Sequence, residues 1–126
     1  MGKKIKTVGI VGGGTMGSGI AQLVAASRYK VVLIDLSDEL IKKSLSKINK
    51  NLSRLVDKEK IEKEVHQEIL LRINTSTNLD DLSDCELVIE AVSENANIKK
   101  QLFEKLDAIL NKDCIIASNT STLPII

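Results

Sequence analysis

Aromatic residues are almost missing from this 126-residue chain: one Tyr, one Phe and no Trp, 2% in all. A surface that reads nucleobases by stacking is therefore excluded. An excess of one charge is missing too, with 18 Lys and Arg against 17 Asp and Glu and a formal net charge of +1. That balance leaves no electrostatic footprint for nucleic acid. The two cysteines, Cys85 and Cys114, stand far apart beside apolar runs, and the single histidine, His66, lies in a charged helical stretch. A zinc enzyme needs close cysteine pairs or several histidine ligands, so that class drops out; reduced thiols and a surface imidazole are expected. No apolar run approaches a membrane span, and the Lys-rich N-terminus lacks the apolar stretch of a signal peptide. The expectation is a soluble, cytoplasmic protein with neither a nucleic acid nor a membrane as partner.

What is present is an ordinary globular balance, 43% hydrophobic and 28% charged, in a length suited to one domain. A chain of this size buries roughly two-thirds of its unfolded surface, enough for a core without metal or disulfide staples. Five of the seven glycines fall in one short segment: Gly12, Gly13, Gly14, Gly17 and Gly19. Before them, Thr7 to Val11 reads as a buried strand. After them, a helix from Met16 to Ser27 is expected, with Ile20, Leu23, Val24 and Ser27 on one face. Gly17, Ala21 and Ala25 form a flat stripe on it that lets the helix lie close to a sheet.

Val31 to Asp35 is a second apolar run ending in an acid. Ser37 is an N-cap candidate, with Asp38 and Glu39 suited to a first helical turn. Ile41, Leu45, Ile48, Leu52 and Leu55 make the apolar stripe of a long helix, and Lys43, Lys47, Lys50 and Arg54 lie opposite. Asp57 to Glu59 should break it, and Ile61, Val65, Ile69 and Leu70 give an antiparallel second helix. Ile73 to Ser76 is a weak strand, Asn78 to Asp84 an acidic loop, and Leu87 to Ala91 a buried strand. Ile98, Leu102, Leu106, Ile109 and Leu110 mark another helix, Ile115 to Ser118 a last strand, and Pro124 the first turn of a further helix. Strands alternating with helices predict an α/β, doubly wound parallel sheet with a helical hairpin inserted after the second strand.

Gly12-Gly13-Gly14-Thr15-Met16-Gly17 fits G-x-G-x-x-G, a weak pattern by itself. Here it follows a strand, opens a helix, and precedes Asp35 at the end of the second strand, which makes it a strong dinucleotide fingerprint. Gly12 permits the tight turn, Gly14 the approach of the pyrophosphate, and Gly17 the contact of helix with strand. The helix start offers N–H groups and partial positive charge to phosphate. Asp35 would accept the ribose hydroxyls and repel a 2′-phosphate, and no Arg follows in Leu36-Ser37, so NAD is favoured over NADP.

The stretch from Gly12 to Gln22 resembles the opening of the short-chain L-3-hydroxyacyl-CoA dehydrogenases, especially the bacterial 3-hydroxybutyryl-CoA dehydrogenases. So do Leu87-Val88-Ile89-Glu90-Ala91-Val92-Ser93-Glu94-Asn95 and Ala117-Ser118-Asn119-Thr120-Ser121-Thr122-Leu123. The resemblance implies an NAD-dependent oxidoreductase that interconverts L-3-hydroxyacyl-CoA and 3-oxoacyl-CoA in fatty-acid or butyrate metabolism. It implies that Gly12, Gly14, Thr15, Met16, Gly17, Asp35, Glu94 and Lys99 bind the cofactor. It gives Ser121 the catalytic and substrate-binding role of hydrogen-bonding the 3-oxygen. It places Asn51 and Lys58 against the coenzyme A moiety of the acyl-CoA, Asn51 standing where some members carry serine.

Residue types alone leave alternatives open. Ser118 to Thr122 reads equally as a turn and capping segment ahead of Pro124, Glu94 as a first-turn helix acid, and Lys99 as a solvated side chain. The basic face from Lys43 to Arg54 is either a solvated surface or, having no interleaved acid, a seat for a phosphate-rich ligand. The family's general acid–base pair, a His and a Glu, follows the serine motif and precedes a helical second domain. Residues 1–126 are therefore expected to be the NAD-binding domain alone, ending before the catalytic histidine and inactive by itself. The parent enzyme would be a homodimer joined through that second domain. The alternatives are a non-catalytic NAD-binding module and a related β-hydroxyacid dehydrogenase that does not use coenzyme A.

Overall fold

The computed structural model describes residues 4–91 and 96–118. The chain runs β1 (Thr7–Val11), α1 (Thr15–Ala26), β2 (Lys30–Ile34), α2 (Asp38–Asp57), α3 (Lys63–Arg72), β3 (Ile73–Ser76), a 3-10 turn (Leu79–Leu82), β4 (Leu87–Glu90), α4 (Ala96–Ile109) and β5 (Ile115–Ser118). The five strands form one sheet in the order β3-β2-β1-β4-β5. Every neighbouring pair is parallel, with Val11 opposite Ile34 and Glu90, and Glu90 opposite Ser118. Strand order reverses at β1, so a crevice opens between the carboxyl ends of β1 and β4.

Alternation along the strands divides the core in two. Val8, Ile10, Val31, Leu33 and Ile73 pack with Ala21 and Ala25 of α1, Ile48 and Leu52 of α2, and Ile69 of α3. On the other face Val11, Ile34 and Val88 meet Leu82 of the 3-10 turn and Leu106 of α4. Each large side chain buried this way contributes about 1.5–3 kcal/mol of transfer free energy.

The sequence places β1, β3 and β5 at the residues where they form. In α1 the expected stripe of Gly17, Ala21 and Ala25 is the packed face, while the apolar set of Ile20, Leu23, Val24 and Ser27 is not the buried one. Gly17, Ser18, Ala21 and Ala25 are the buried residues, Ile20 and Val24 are half-buried, and Leu23 is 68% exposed. At 3.6 residues per turn Leu23, two residues from both Ala21 and Ala25, falls on the opposite side of the helix from that small-residue stripe and points to solvent. The α2 stripe is as expected, with Ile41, Ile48 and Leu52 buried and Leu45 and Leu55 packed beside them. Ser37 caps it, its hydroxyl accepting the Leu40 N–H at 3.2 Å. It ends where Glu59 takes φ 56° and the Lys60 N–H reaches back to the Leu55 carbonyl. His66 on α3 meets Asn49 of α2, Nε2 to Oδ1, at 2.8 Å. The expected acidic loop is instead built around a 3-10 turn, because Leu82 anchors it in the core and Asn78 caps it through the Asp80 N–H. Among the described residues no helix is long and apolar enough to cross a membrane.

Candidate functional site

The glycine-rich loop leaves β1 at the sheet's carboxyl side and turns at once into α1. Gly12 has φ 100°, a left-handed conformation that glycine adopts without a Cβ penalty. A Cβ at Gly17 would fall 1.7 Å from the Gly12 carbonyl oxygen, so the first turn of α1 sits directly on the loop. Among the described residues, a Cβ at Gly14 would meet no atom within 4 Å beyond its chain neighbours. The fold therefore does not demand glycine there, and a demand can come only from what approaches. The start of α1 fits an anion: it has no side-chain cap and no acid in its first turn, so its N–H groups and dipole are not satisfied by the protein's own carboxylates.

Asp35 stands just past β2 and holds the loop. Its Oδ2 accepts the Gly13 N–H at 2.9 Å and its Oδ1 accepts the Leu36 N–H at 2.8 Å. A carboxylate has about four lone-pair sites, so accepting ribose hydroxyls as well is within its capacity. Two buried serines complete the brace, a feature that sequence reasoning missed. The hydroxyls of Ser18 on α1 and Ser44 on α2 both donate to the Gly13 carbonyl oxygen. Their signal was a polar residue on an otherwise buried helical face. Beside the loop a cleft of about 660 Å³ opens, lined among others by Gly14, Asp35, Leu36, Thr77, Ala91 and Lys105. Such a volume suits a small-molecule ligand, and its walls combine residues at or just past the carboxyl ends of the strands with Lys105 and its neighbours on α4.

Thr15 and Met16 occupy the exposed first turn of α1, and the Lys47 ammonium donates to the Thr15 hydroxyl at 3.4 Å. Lys43, Lys47, Lys50 and Arg54 are all exposed, and among the described residues no carboxylate pairs with them. Asn51 donates to Gln22 of α1 at 3.4 Å, and Lys58 is the exposed C-cap of α2. Lys99, open from its sequence to a solvated reading, is instead buried. Its ammonium lies 3.4 Å from Oε1 of Glu90, which is itself fully buried. The Ser118 hydroxyl donates to that same oxygen at 2.8 Å. Glu94 and Ser121 lie outside the described residues.

The amino side of the sheet carries other polar groups. Oε1 of Glu86 accepts the N–H groups of Lys6 and Thr7, each at 2.8 Å. Those two bonds, Thr7 first, hold its carboxyl below the usual carboxylate range. Burial pushes the Cys85 thiol up to about 12, and it raises Cys114 as well.

A family profile described as 3-hydroxyacyl-CoA dehydrogenase, NAD binding domain, matches residues 7–126. A 3-hydroxybutyryl-CoA dehydrogenase of Bradyrhizobium diazoefficiens is 42% identical over 121 residues, which are 96% of this chain and 41% of that enzyme. One from Clostridioides difficile is 44% identical over 116 residues, 92% of this chain and 41% of the relative. The crystal structure of (S)-3-hydroxybutyryl-CoA dehydrogenase PaaH1 from Ralstonia eutropha superposes with a TM-score of 0.93 at 43% identity, covering 95% of this chain and 42% of that one. The chain thus spans about two-fifths of the length of these relatives. With a fingerprint loop braced by Asp35 at the reversal point of a parallel sheet, the chain belongs to the 3-hydroxyacyl-CoA dehydrogenase NAD-binding domain family.

Proposed function

We propose that this domain binds NAD for an oxidoreductase that interconverts L-3-hydroxyacyl-CoA and 3-oxoacyl-CoA, with 3-hydroxybutyryl-CoA as the substrate its relatives suggest. The observation that carries the reading is the 2.9 Å contact between Asp35 and the Gly13 N–H, which joins the ribose acid to the phosphate loop. Gly12, Gly14 and Gly17, with the N–H groups of Thr15 and Met16, would receive the pyrophosphate, and Asp35 the adenosine ribose. Glu94 and Lys99 would meet the nicotinamide half, and Ser121 would orient the 3-oxygen beside it. The bound nicotinamide supplies the hydride chemistry; the protein's own groups place it and the substrate.

Asn51 and Lys58 fall on the same line along α2 as Lys43, Lys47 and Arg54, spaced by three and four residues. That line starts beside Thr15 and runs away from the loop, an unneutralised stripe suited to the phosphates of coenzyme A. In this reading residues 1–126 form the dinucleotide domain. The acid–base histidine, the helical domain and a homodimer interface belong to the part of the relatives' length that this chain does not span, and the protein works in the cytoplasm. The 126-residue chain should then bind NADH and yet turn over essentially no acetoacetyl-CoA, since positioned proton transfer is worth about a hundredfold to ten-thousandfold.

Titration of NADH and NADPH by their own fluorescence tests the cofactor assignment. Asp35→Ala should weaken NADH by about 1–3 kcal/mol, the cost of lost hydrogen bonds to a charged group. Tighter binding of NADPH than NADH by the unaltered chain would overturn the role of Asp35. The coenzyme A assignment is tested in a protein carrying the whole dehydrogenase. Replacing Lys43, Lys47, Lys50 and Arg54 together by Gln should raise KM for acetoacetyl-CoA and flatten its salt dependence. Unchanged kinetics would make the stripe an ordinary solvated face.

A further inference from the structure

A glutamate that is 0% exposed, inside the run Leu-Val-Ile-Glu-Ala, is out of keeping with a strand buried in a core. Removing a carboxylate from water is costly unless its partners are close and well placed. Glu90 has such partners. Strand register sets it opposite Ser118, whose hydroxyl donates at 2.8 Å, and Lys99 reaches it from α4 at 3.4 Å. Lys99 is the fourth residue of α4. A cation there opposes the positive end of the helix dipole, so its position needs the carboxylate beneath it.

The place of this cluster gives it meaning. Asp35 anchors one end of a dinucleotide past β2, and the glycine loop past β1 receives its middle. The other half must therefore continue across the reversal point towards β4 and β5. Glu90 and Ser118 are the last residues of those two strands. The geometry points to Glu90 as a positioning residue: its buried carboxylate fixes the Lys99 ammonium and the end of β5 beneath the nicotinamide half of the cofactor. This rests on the dinucleotide reading above. An ammonium has three donors, so Lys99 held by Glu90 keeps others to direct at a ligand. Without the carboxylate that cation would leave its buried position for water.

The test compares NADH with ADP, which keeps the adenosine and both phosphates but lacks the nicotinamide and its ribose. Glu90→Gln keeps an oxygen for Ser118 and removes the charge that holds Lys99. It should weaken NADH by about tenfold or more, the scale of losing a hydrogen bond from a charged group. ADP should bind as it does to the unaltered protein. Lys99→Met should reproduce the effect, and adding Glu90→Gln to it should cost nothing further, because the two act as one unit. If Glu90→Gln does not fold, Glu90→Met combined with Lys99→Met leaves no buried charge and provides folded protein for the same titrations. Equal losses for NADH and ADP, or none for either, would overturn the assignment and leave Glu90 a packing element. Failure of the unaltered protein to bind either ligand would instead overturn the dinucleotide reading, which Asp35→Ala probes separately.

Discussion

The two ends of the parallel strands carry polar groups of similar kind and use them differently. At the amino end the Glu86 carboxylate is spent on the backbone of Lys6 and Thr7, and the two thiols sit against apolar neighbours. Every contact there closes on the protein itself. At the carboxyl end Ser18, Ser44 and Asp35 hold a loop whose outward side faces an open cleft, and the Glu90–Lys99 pair is buried just beneath Ala91, which lines that cleft. The lesson is that a polar group near a sheet end indicates function only when the atoms it holds in place are themselves turned towards empty space.

Glycine substitutions give the largest expected break in that contrast. Gly17→Ala forces a methyl to within 1.7 Å of a backbone oxygen, and overpacking against an atom that cannot yield should cost at least about 3 kcal/mol. Thermal unfolding measures it. Gly14→Ala meets open space, so its melting temperature should stay near that of the unaltered chain while NADH affinity falls. A large loss of stability at Gly14, or none at Gly17, would erase the distinction between a glycine kept for the fold and one kept for a ligand.

Acid unfolding addresses the amino end. The carboxyl of Glu86 is held below its ordinary value of 4.5 in the folded state. Stability from it is complete above the unfolded value and is lost as pH falls below about that point. Glu86→Gln should therefore destabilise the protein at neutral pH and flatten the acid limb of its stability curve. NADH affinity at pH 7 should not move; if it did, the amino end would be coupled to the site. The smallest effect concerns thiol labelling. At pH 8 Cys85, pushed up to about 12, should resist an alkylating reagent, and the less buried Cys114 should react first, though slowly. Faster labelling of Cys85 would mean that the amino end opens more readily than its packing indicates.

Much of this was legible in the sequence because it rests on local chemistry. The β-branched run of β1, the glycine spacing and Asp35 are short-range signals, and the strands and helices among the described residues formed near their expected bounds, the helix expected from Pro124 lying outside those residues. Leu23 misled because an apolar residue one turn from Ile20 looks like part of a core face, whereas α1 turns its small-residue stripe inward and leaves Leu23 on the far side. Lys99 was open to a solvated reading because its partner lies on another element, joined to it only by the strand register. The clue was Glu90, an acid inside an apolar strand, and it called for a partner that linear spacing does not name.

Asp35 has a consequence for anyone wishing to re-specify the cofactor. The next residue, Leu36, is 90% exposed and lines the cleft, so an arginine there would disturb no core. The carboxylate itself is less replaceable, since the Gly13 N–H depends on it. Removing the negative charge and retaining an acceptor are separate requirements, and asparagine meets both where alanine meets one. A change of preference towards the 2′-phosphorylated dinucleotide is thus a two-position problem, in which the first substitution must preserve the loop before the second can recruit the new phosphate.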